Sequence, residues 1–372
     1  MRNLFYYIKK FGLKSFAEFS FNEVDSLILS QLSYLNLKEF IPALSEKKDP
    51  VSLQELLTDD VIHKLCYETL DEKRNKKLLR KLIKTTRYEQ LLMNFYEEHF
   101  NVDKIEQFCA VTFVFSDFLY LAYRGTDLSL LGWKENFTMS FLDVIPSQED
   151  ASLYLERVGK LIEQNFYVGG HSKGGNLAVY AALYATKAIQ DRIIKIYDHD
   201  GPGFQTDIFT DSRIQSIEHK IEKTSCREAM VGILLHHSEK IKFVNSRSFS
   251  ILQHDPYNWE VTKNGAFKLV RQANLISHTF EKTVNDFVEM TSMEDKKLFF
   301  DVLFKIAMEH PHTTLIDIKR HPFRYSFGVR KRFLQLSFEE QKLFKKLLKR
   351  YRQLWRHNFK LYLKRKIHFK GK

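Results

Sequence analysis

Seven consecutive residues, Gly170-His171-Ser172-Lys173-Gly174-Gly175-Asn176, set a serine between glycines at Gly-x-Ser-x-Gly spacing. A short apolar run, Phe166-Tyr167-Val168-Gly169, leads into them, and an alanine-rich run, Leu177-Ala178-Val179-Tyr180-Ala181-Ala182, leads away. A strand, a sharp turn and a helix in that order lift a serine hydroxyl to the tip of the turn, where it can attack an acyl carbonyl. Small residues at Gly170 and Gly174 let the neighbouring strand and helix come close. The start of the helix brings backbone N–H groups and a positive dipole end to the same place.

A serine hydroxyl is a poor nucleophile at neutral pH, so it needs a base in hydrogen-bond reach and a third group to fix the base's tautomer. After a strand–turn–helix serine the partners follow as acid, then histidine, on loops beyond later strands. His254 follows the last clear strand in a polar, turn-like segment and is the expected base. His236 and His237 close an apolar run and are weaker candidates; His278 is an outside candidate. His171 sits beside the serine in a structural role, and His199 precedes any acid outside its own loop. For the acid, Asp200 stands directly after a strand and before Gly201-Pro202-Gly203, and is preferred. Asp198 and Asp255 remain alternatives, although Asp255 adjoins His254 and neighbours in extended chain point apart.

Charge that develops on the attacked oxygen needs two N–H donors. One is expected from Lys173, the residue after the serine. The other is expected from the exit of an earlier strand, at Gly125-Thr126, where glycine lets the backbone turn.

The elements that must position these groups alternate. Residues 1–45 read as helical, with Asn22 as a cap and Val24, Leu27, Ile28, Gln31, Leu32 and Leu35 as a core-facing stripe. Residues 51–102 read as further helices with a charged outer face. Strands begin near Cys109, with a hairpin through Ser116-Asp117, then a helix over 148–164, the serine turn, a strand over 193–197 and another over 241–246. This is the pattern of a largely parallel sheet with crossover helices. Beyond about 274 the chain reads as helical to its end.

The 372 residues, 44% of them hydrophobic, suffice for a large α/β domain and an appendage. Three scattered cysteines, Cys66, Cys109 and Cys226, match no metal or disulfide framework, which suggests reduced thiols and a cytoplasmic setting. Charge breaks into the first ten residues too soon for a signal peptide. No metal or cofactor is implied. The net charge of +12 is uneven: residues 319–372 carry nineteen Lys/Arg against Glu339 and Glu340, leaving a mildly acidic body.

Tyr123-Arg124-Gly125-Thr126 resembles the oxyanion-loop strand of class 3 lipases. The 168–178 stretch resembles their serine turn, with Lys173 where leucine is usual. A closer resemblance is to an uncharacterised bacterial family of predicted α/β-hydrolases, a domain of unknown function. It rests on Phe21-Asn22-Glu23-Val24-Asp25, Leu29-Ser30-Gln31-Leu32-Ser33-Tyr34, Arg124-Gly125-Thr126-Asp127, the 170–182 block, Asp200-Gly201-Pro202-Gly203-Phe204 and Gln253-His254-Asp255. It covers roughly residues 1–280 and implies a serine hydrolase fold without naming a substrate. In class 3 lipases the acid follows the strand before the histidine loop; here that strand ends at Asn245-Ser246 with no carboxylate. No long apolar lid precedes the serine turn, which points away from a triglyceride lipase.

In the tail, Leu343, Phe344, Leu347, Leu348, Tyr351, Leu354 and Trp355 repeat at helical spacing among Lys342, Lys345, Lys346, Lys349, Arg350, Arg352 and Arg356. Such a helix can dock on the body, lie on an anionic membrane surface, or hold the phosphates of nucleic acid or an acidic partner.

The expectation is therefore an α/β-hydrolase fold over 1–280, with a helical part over 1–102 and a catalytic core over 103–280, followed by a helical extension over 281–372. Its function is expected to be hydrolysis of a carboxylic ester or thioester, such as a membrane-derived acyl lipid, by Ser172, His254 and Asp200 with Lys173 and Thr126 at the oxyanion. The alternative is a non-catalytic protein that binds a partner through its basic tail. The expected location is cytoplasmic, peripheral at the membrane.

Overall fold

The structure is a computed structural model that describes residues 2–370 apart from 47, 206–211, 237–239, 272–274 and 311, with side chains except those of 251, 275, 276 and 364–370. His237 thus lies outside the described residues. The chain opens with α1 (Leu4–Phe11) and α2 (Glu23–Leu32). Asn22 caps α2: its Oδ1 accepts from Val24 N at 2.9 Å, and its own N–H donates to Asp25 Oδ2 at 3.1 Å. Every residue of α2 from Val24 to Leu32 is buried, polar ones included. Asp25 is paired with the buried Arg87 and accepts from the hydroxyls of Tyr7 at 2.9 Å and Tyr88 at 2.6 Å. A buried charge so fully bonded ties α1 and α2 to the segment just ahead of Leu92.

Three short helices follow, α3 (Leu53–Leu56), α4 (Asp59–Cys66) and α5 (Glu72–Leu82). The nine-stranded sheet comprises β1 (Val51–Ser52), β2 (Leu92–Asn101), β3 (Glu106–Val114), β4 (Leu119–Tyr123), β5 (Phe166–His171), β6 (Ile193–His199), β7 (Ile221–Cys226), β8 (Lys242–Val244) and β9 (Leu269–Val270), in sequential order. β4 to β8 are parallel; β1 to β4 and β8–β9 pair antiparallel. The crossovers use α6 (Leu130–Thr138) and α7 (Pro146–Leu161), then α8 (Lys173–Tyr184) and α9 (Lys187–Arg192), then α10 (Ser212–Ile217).

Right-handed crossovers between parallel strands added always on the same side place every connecting helix on one face of the sheet. The strand residues obey this. Phe108, Ala110, Leu119, Leu121, Tyr123, Val168 and Ile196 pack with α7, α8 and α10. The alternate residues Cys109, Val111, Phe113, Tyr120 and Ala122 face the other way, into a core shared with α1, α2, α4 and α5. The N-terminal helices thus supply the layer that the topology leaves bare.

Four strands differ from the sequence expectation: the two-residue β1 and β9, and the longer β2 and β7. Residues 92–101, expected to be helical, form β2, so strands begin well before Cys109. Phe95 has φ 55°, and the pairing with β3 shifts between Asn94 and Glu97, which breaks the alternation that would reveal a strand. β7 went unrecognised because its centre is Lys223-Thr224-Ser225. The buried Lys223 is satisfied by Asp198 Oδ2 at 2.5 Å, a contact no local pattern announces.

The C-terminal part comprises α11 (Leu275–Glu289), α12 (Met293–Ala307), α13 (Leu315–Arg320), α14 (Pro322–Leu334) and α15 (Phe338–Lys370). The apolar stripe of α15 packs on the body: Leu347 is fully buried, Phe344 stacks on Phe299 at 5.1 Å, and Tyr351 meets Phe287 at 5.7 Å. Among the described residues, no helix is long and apolar enough to cross a membrane.

Candidate active site

Ser172 lies between the end of β5 and the start of α8, with φ 59° and ψ −134°. A non-glycine residue at positive φ is strained, and such strain persists only where the surroundings enforce it. Here they do. A Cβ at Gly170 would come 2.3 Å from the Gly174 carbonyl carbon, and one at Gly174 would come 2.1 Å from Tyr123 O. The turn is therefore pressed between its own helix and β4. Ser172 N–H donates to His199 O at 2.9 Å, which fixes the turn to β6 as well.

The neighbouring strand ends bring the other groups. β6 ends at His199, and Asp200 turns away with φ 57°. Its Oδ2 receives His254 Nδ1 at 2.6 Å, across a sequence gap of 54 residues. Cys226, at the end of β7, directs its thiol at the same oxygen at 3.4 Å. Burial would raise the Asp200 carboxyl, but the hydrogen bond and charge of His254, with help from His171 and Ser225, hold it below the ordinary range. A carboxylate on Nδ1 fixes the proton there and leaves His254 Nε2 as an acceptor. Neither that nitrogen nor the Ser172 hydroxyl has a hydrogen-bond partner among the described residues.

His254 itself is held from the serine turn. Its ring lies 4.5 Å from that of His171, whose Nε2 donates to the His254 carbonyl at 2.9 Å. Tyr34 completes the arrangement, with its hydroxyl 3.3 Å from His171 Nδ1 and 3.1 Å from His171 O. Burial first, and then the neighbouring His254, push the His171 pKa well down, so its ring is neutral. Trp259 supports the same loop by donating to Gln253 O at 2.8 Å.

Gly125 closes the site from β4. A Cβ there would lie 2.1 Å from Tyr34 Oη, 2.4 Å from His171 O and 3.1 Å from Ser172 Cβ, so only glycine fits. Thr126 follows, and its hydroxyl is buried with no partner among the described residues. Lys173 keeps its side chain away in a buried ion pair: Nζ meets Glu135 Oε2 at 2.5 Å and Gln107 O at 2.5 Å. What remains for the site is its backbone at the start of α8.

The other candidates lie elsewhere. Asp198 is paired with Lys223 and accepts from Gly201 N at 2.8 Å, bracing the turn that carries Asp200. Asp255 pairs with Arg74 and caps the turn at Tyr257. His199 is fully buried between Ser26 Oγ at 2.9 Å and Thr224 Oγ1 at 2.8 Å. The backbone of His236 bridges to Phe204, and His278 lies on α11 near Glu281. Sequence reasoning gave no role to Tyr34, Cys226 or Trp259. Tyr34 stood within a family block, but nothing local linked it to His171.

Among the described residues, the one group able to gather round a metal is His99, Glu106 and Asp150. His99 Nδ1 already meets Asp150 Oδ2 at 2.6 Å, and the cluster includes none of the serine-site residues. An open cleft of about 790 Å³ lined by Pro50, Gln54, Leu92 and Phe115 contains neither Ser172 nor His254.

Residues 82–305 match the family described as Mbeg1-like. No curated protein matches the sequence. A solved structure, that of M37 lipase, is similar at 16% identity and a TM-score of 0.35, over 57% of this chain and 70% of that one. That likeness is too distant to bear on activity.

Proposed function

The chain belongs to the Mbeg1-like family, and we propose that it is a serine hydrolase of the α/β-hydrolase kind that cleaves a carboxylic ester or thioester. The observation that carries this reading is the Asp200–His254 hydrogen bond of 2.6 Å, formed beside a strained serine turn. In the reaction, Ser172 Oγ attacks the acyl carbonyl carbon as His254 Nε2 takes its proton. Asp200 holds the resulting imidazolium. The N–H groups of Lys173 and Thr126 receive the oxyanion, with the Thr126 hydroxyl beside them. Collapse expels the alcohol or thiol, which takes the proton from His254. Water then repeats the sequence on the acyl-enzyme and releases the acid.

The test is labelling of the purified protein with a fluorophosphonate. Wild-type protein is expected to label, and folded Ser172→Ala and His254→Ala are expected not to. A folded wild type that stays unlabelled would overturn the reading and favour a binding role.

A further inference from the structure

The apolar stripe of α15 is taken up by packing on the body, and a different element carries an exposed one. Along α14, Tyr325 donates to Ala307 O at 2.6 Å and Arg332 Nε donates to Ile306 O at 2.8 Å, so these residues mark the face turned to α12. Opposite them, at helical spacing, lie Phe323, Phe327 and Leu334, exposed to 81%, 73% and 65%. Phe338, the first residue of α15, is 76% exposed. Residues 319–338 contain six Lys/Arg and no acid. Arg320 and Arg324 pair with Glu68 and Glu309, whereas Arg330 and Lys331, flanking the stripe, form no ion pair among the described residues.

This segment is tied to the serine site. Leu130 N–H donates to Thr313 O, and Leu315 N–H donates to Leu128 O, each at 2.9 Å, with Ser129 and Thr314 bridged between them. The strand exit that carries Gly125-Thr126 thus continues within a few residues into the anchor of α13 and α14. The loop that carries His254 also shows solvent exposed Phe249 and Leu252.

We propose that α14 is an interfacial docking helix for an anionic lipid bilayer. Phe323, Phe327 and Leu334 enter the acyl boundary, and Arg330 and Lys331 meet lipid phosphates. Exposed phenylalanines have no hydrogen-bonding group to satisfy, so an acyl boundary suits them, and the flanking cations supply the second signal that stable membrane attachment requires. The proposal stands on the helix alone. Together with the proposed hydrolase reading, it makes a bilayer lipid the source of the acyl ester.

The test is co-sedimentation of the full-length protein with phosphatidylcholine vesicles, with and without phosphatidylglycerol. Wild type is expected to pellet with the anionic vesicles only. Phe323→Ser/Phe327→Ser and Arg330→Gln/Lys331→Gln are each expected to weaken binding about tenfold or more, with unchanged thermal unfolding and unchanged fluorophosphonate labelling. Ser172→Ala is expected to bind as wild type does, so a failure of the hydrolase reading leaves this one intact. Absence of wild-type binding, or wild-type affinity in the phenylalanine variant, would overturn the proposal. So would preferential capture by duplex DNA with no binding to vesicles.

Discussion

His171 Nε2 donates to the backbone carbonyl of His254 at 2.9 Å, so the residue before the serine holds the loop of the proposed base. A carbonyl only accepts, which places the His171 proton on Nε2 and leaves Nδ1 to Tyr34. His171→Phe keeps a ring in the space and deletes the bond. It is expected to slow fluorophosphonate labelling by roughly tenfold to a hundredfold through misplacement of His254. Labelling kinetics on folded protein check this; an unchanged rate would show that the loop holds itself.

Three aspartates stood as candidates, and their partners separate them. Asp200→Asn is expected to cut labelling by roughly a thousandfold or more, because the amide favours the wrong His254 tautomer. Asp198→Asn leaves the buried Lys223 without its counter-charge and is expected to cost about 3 kcal/mol in urea unfolding. Asp255→Asn weakens a partly exposed pair with Arg74 and is expected to cost about 1 kcal/mol or less. Equal labelling defects in all three variants would contradict this division.

The same burial makes stability depend on pH. His199 is fully buried, and desolvation lowers its pKa to about 3 in the folded chain. The unfolded chain takes up a proton near the ordinary histidine value of about 6.5. The unfolded state therefore binds more protons below that pH, and stability is expected to fall by about 1.4 kcal/mol per pH unit on acidification toward pH 3. Denaturant titrations at pH 7.5 and pH 5 should show the loss, and His199→Gln should flatten it. Asp200 has a lowered pKa, so its contribution is present above its unfolded value and is lost only as pH drops through the folded one.

Lys173 is buried against Glu135, and both side chains are fully enclosed. Lys173→Leu strands the carboxylate and is expected to cost about 3–5 kcal/mol. Lys173→Leu/Glu135→Leu removes both charges and is expected to recover most of that loss, while labelling persists because the Lys173 backbone is kept. Glu135 also accepts from the Ser147 hydroxyl and from Gln107 N, so a double variant no more stable than the single one would show that those bonds outweigh the pair.

Local chemistry alone determined much of this protein. The glycine spacing around Ser172, the Asn22 cap, the two apolar runs of the β3–β4 hairpin around Ser116-Asp117, and the stripe on α2 are all short-range patterns, and each element stands where the pattern put it. β2 and β7 were hidden because a backbone irregularity at Phe95 and a buried lysine at position 223 broke the period-two signal. The sequence preferred Asp200 to Asp198 only for its place after the strand and before Gly201-Pro202-Gly203, because residues two apart along extended chain share a face. Only the fold separates them. β7 brings Lys223 against Asp198, while the left-handed backbone at Asp200 swings its carboxylate to a histidine that arrives from beyond β8.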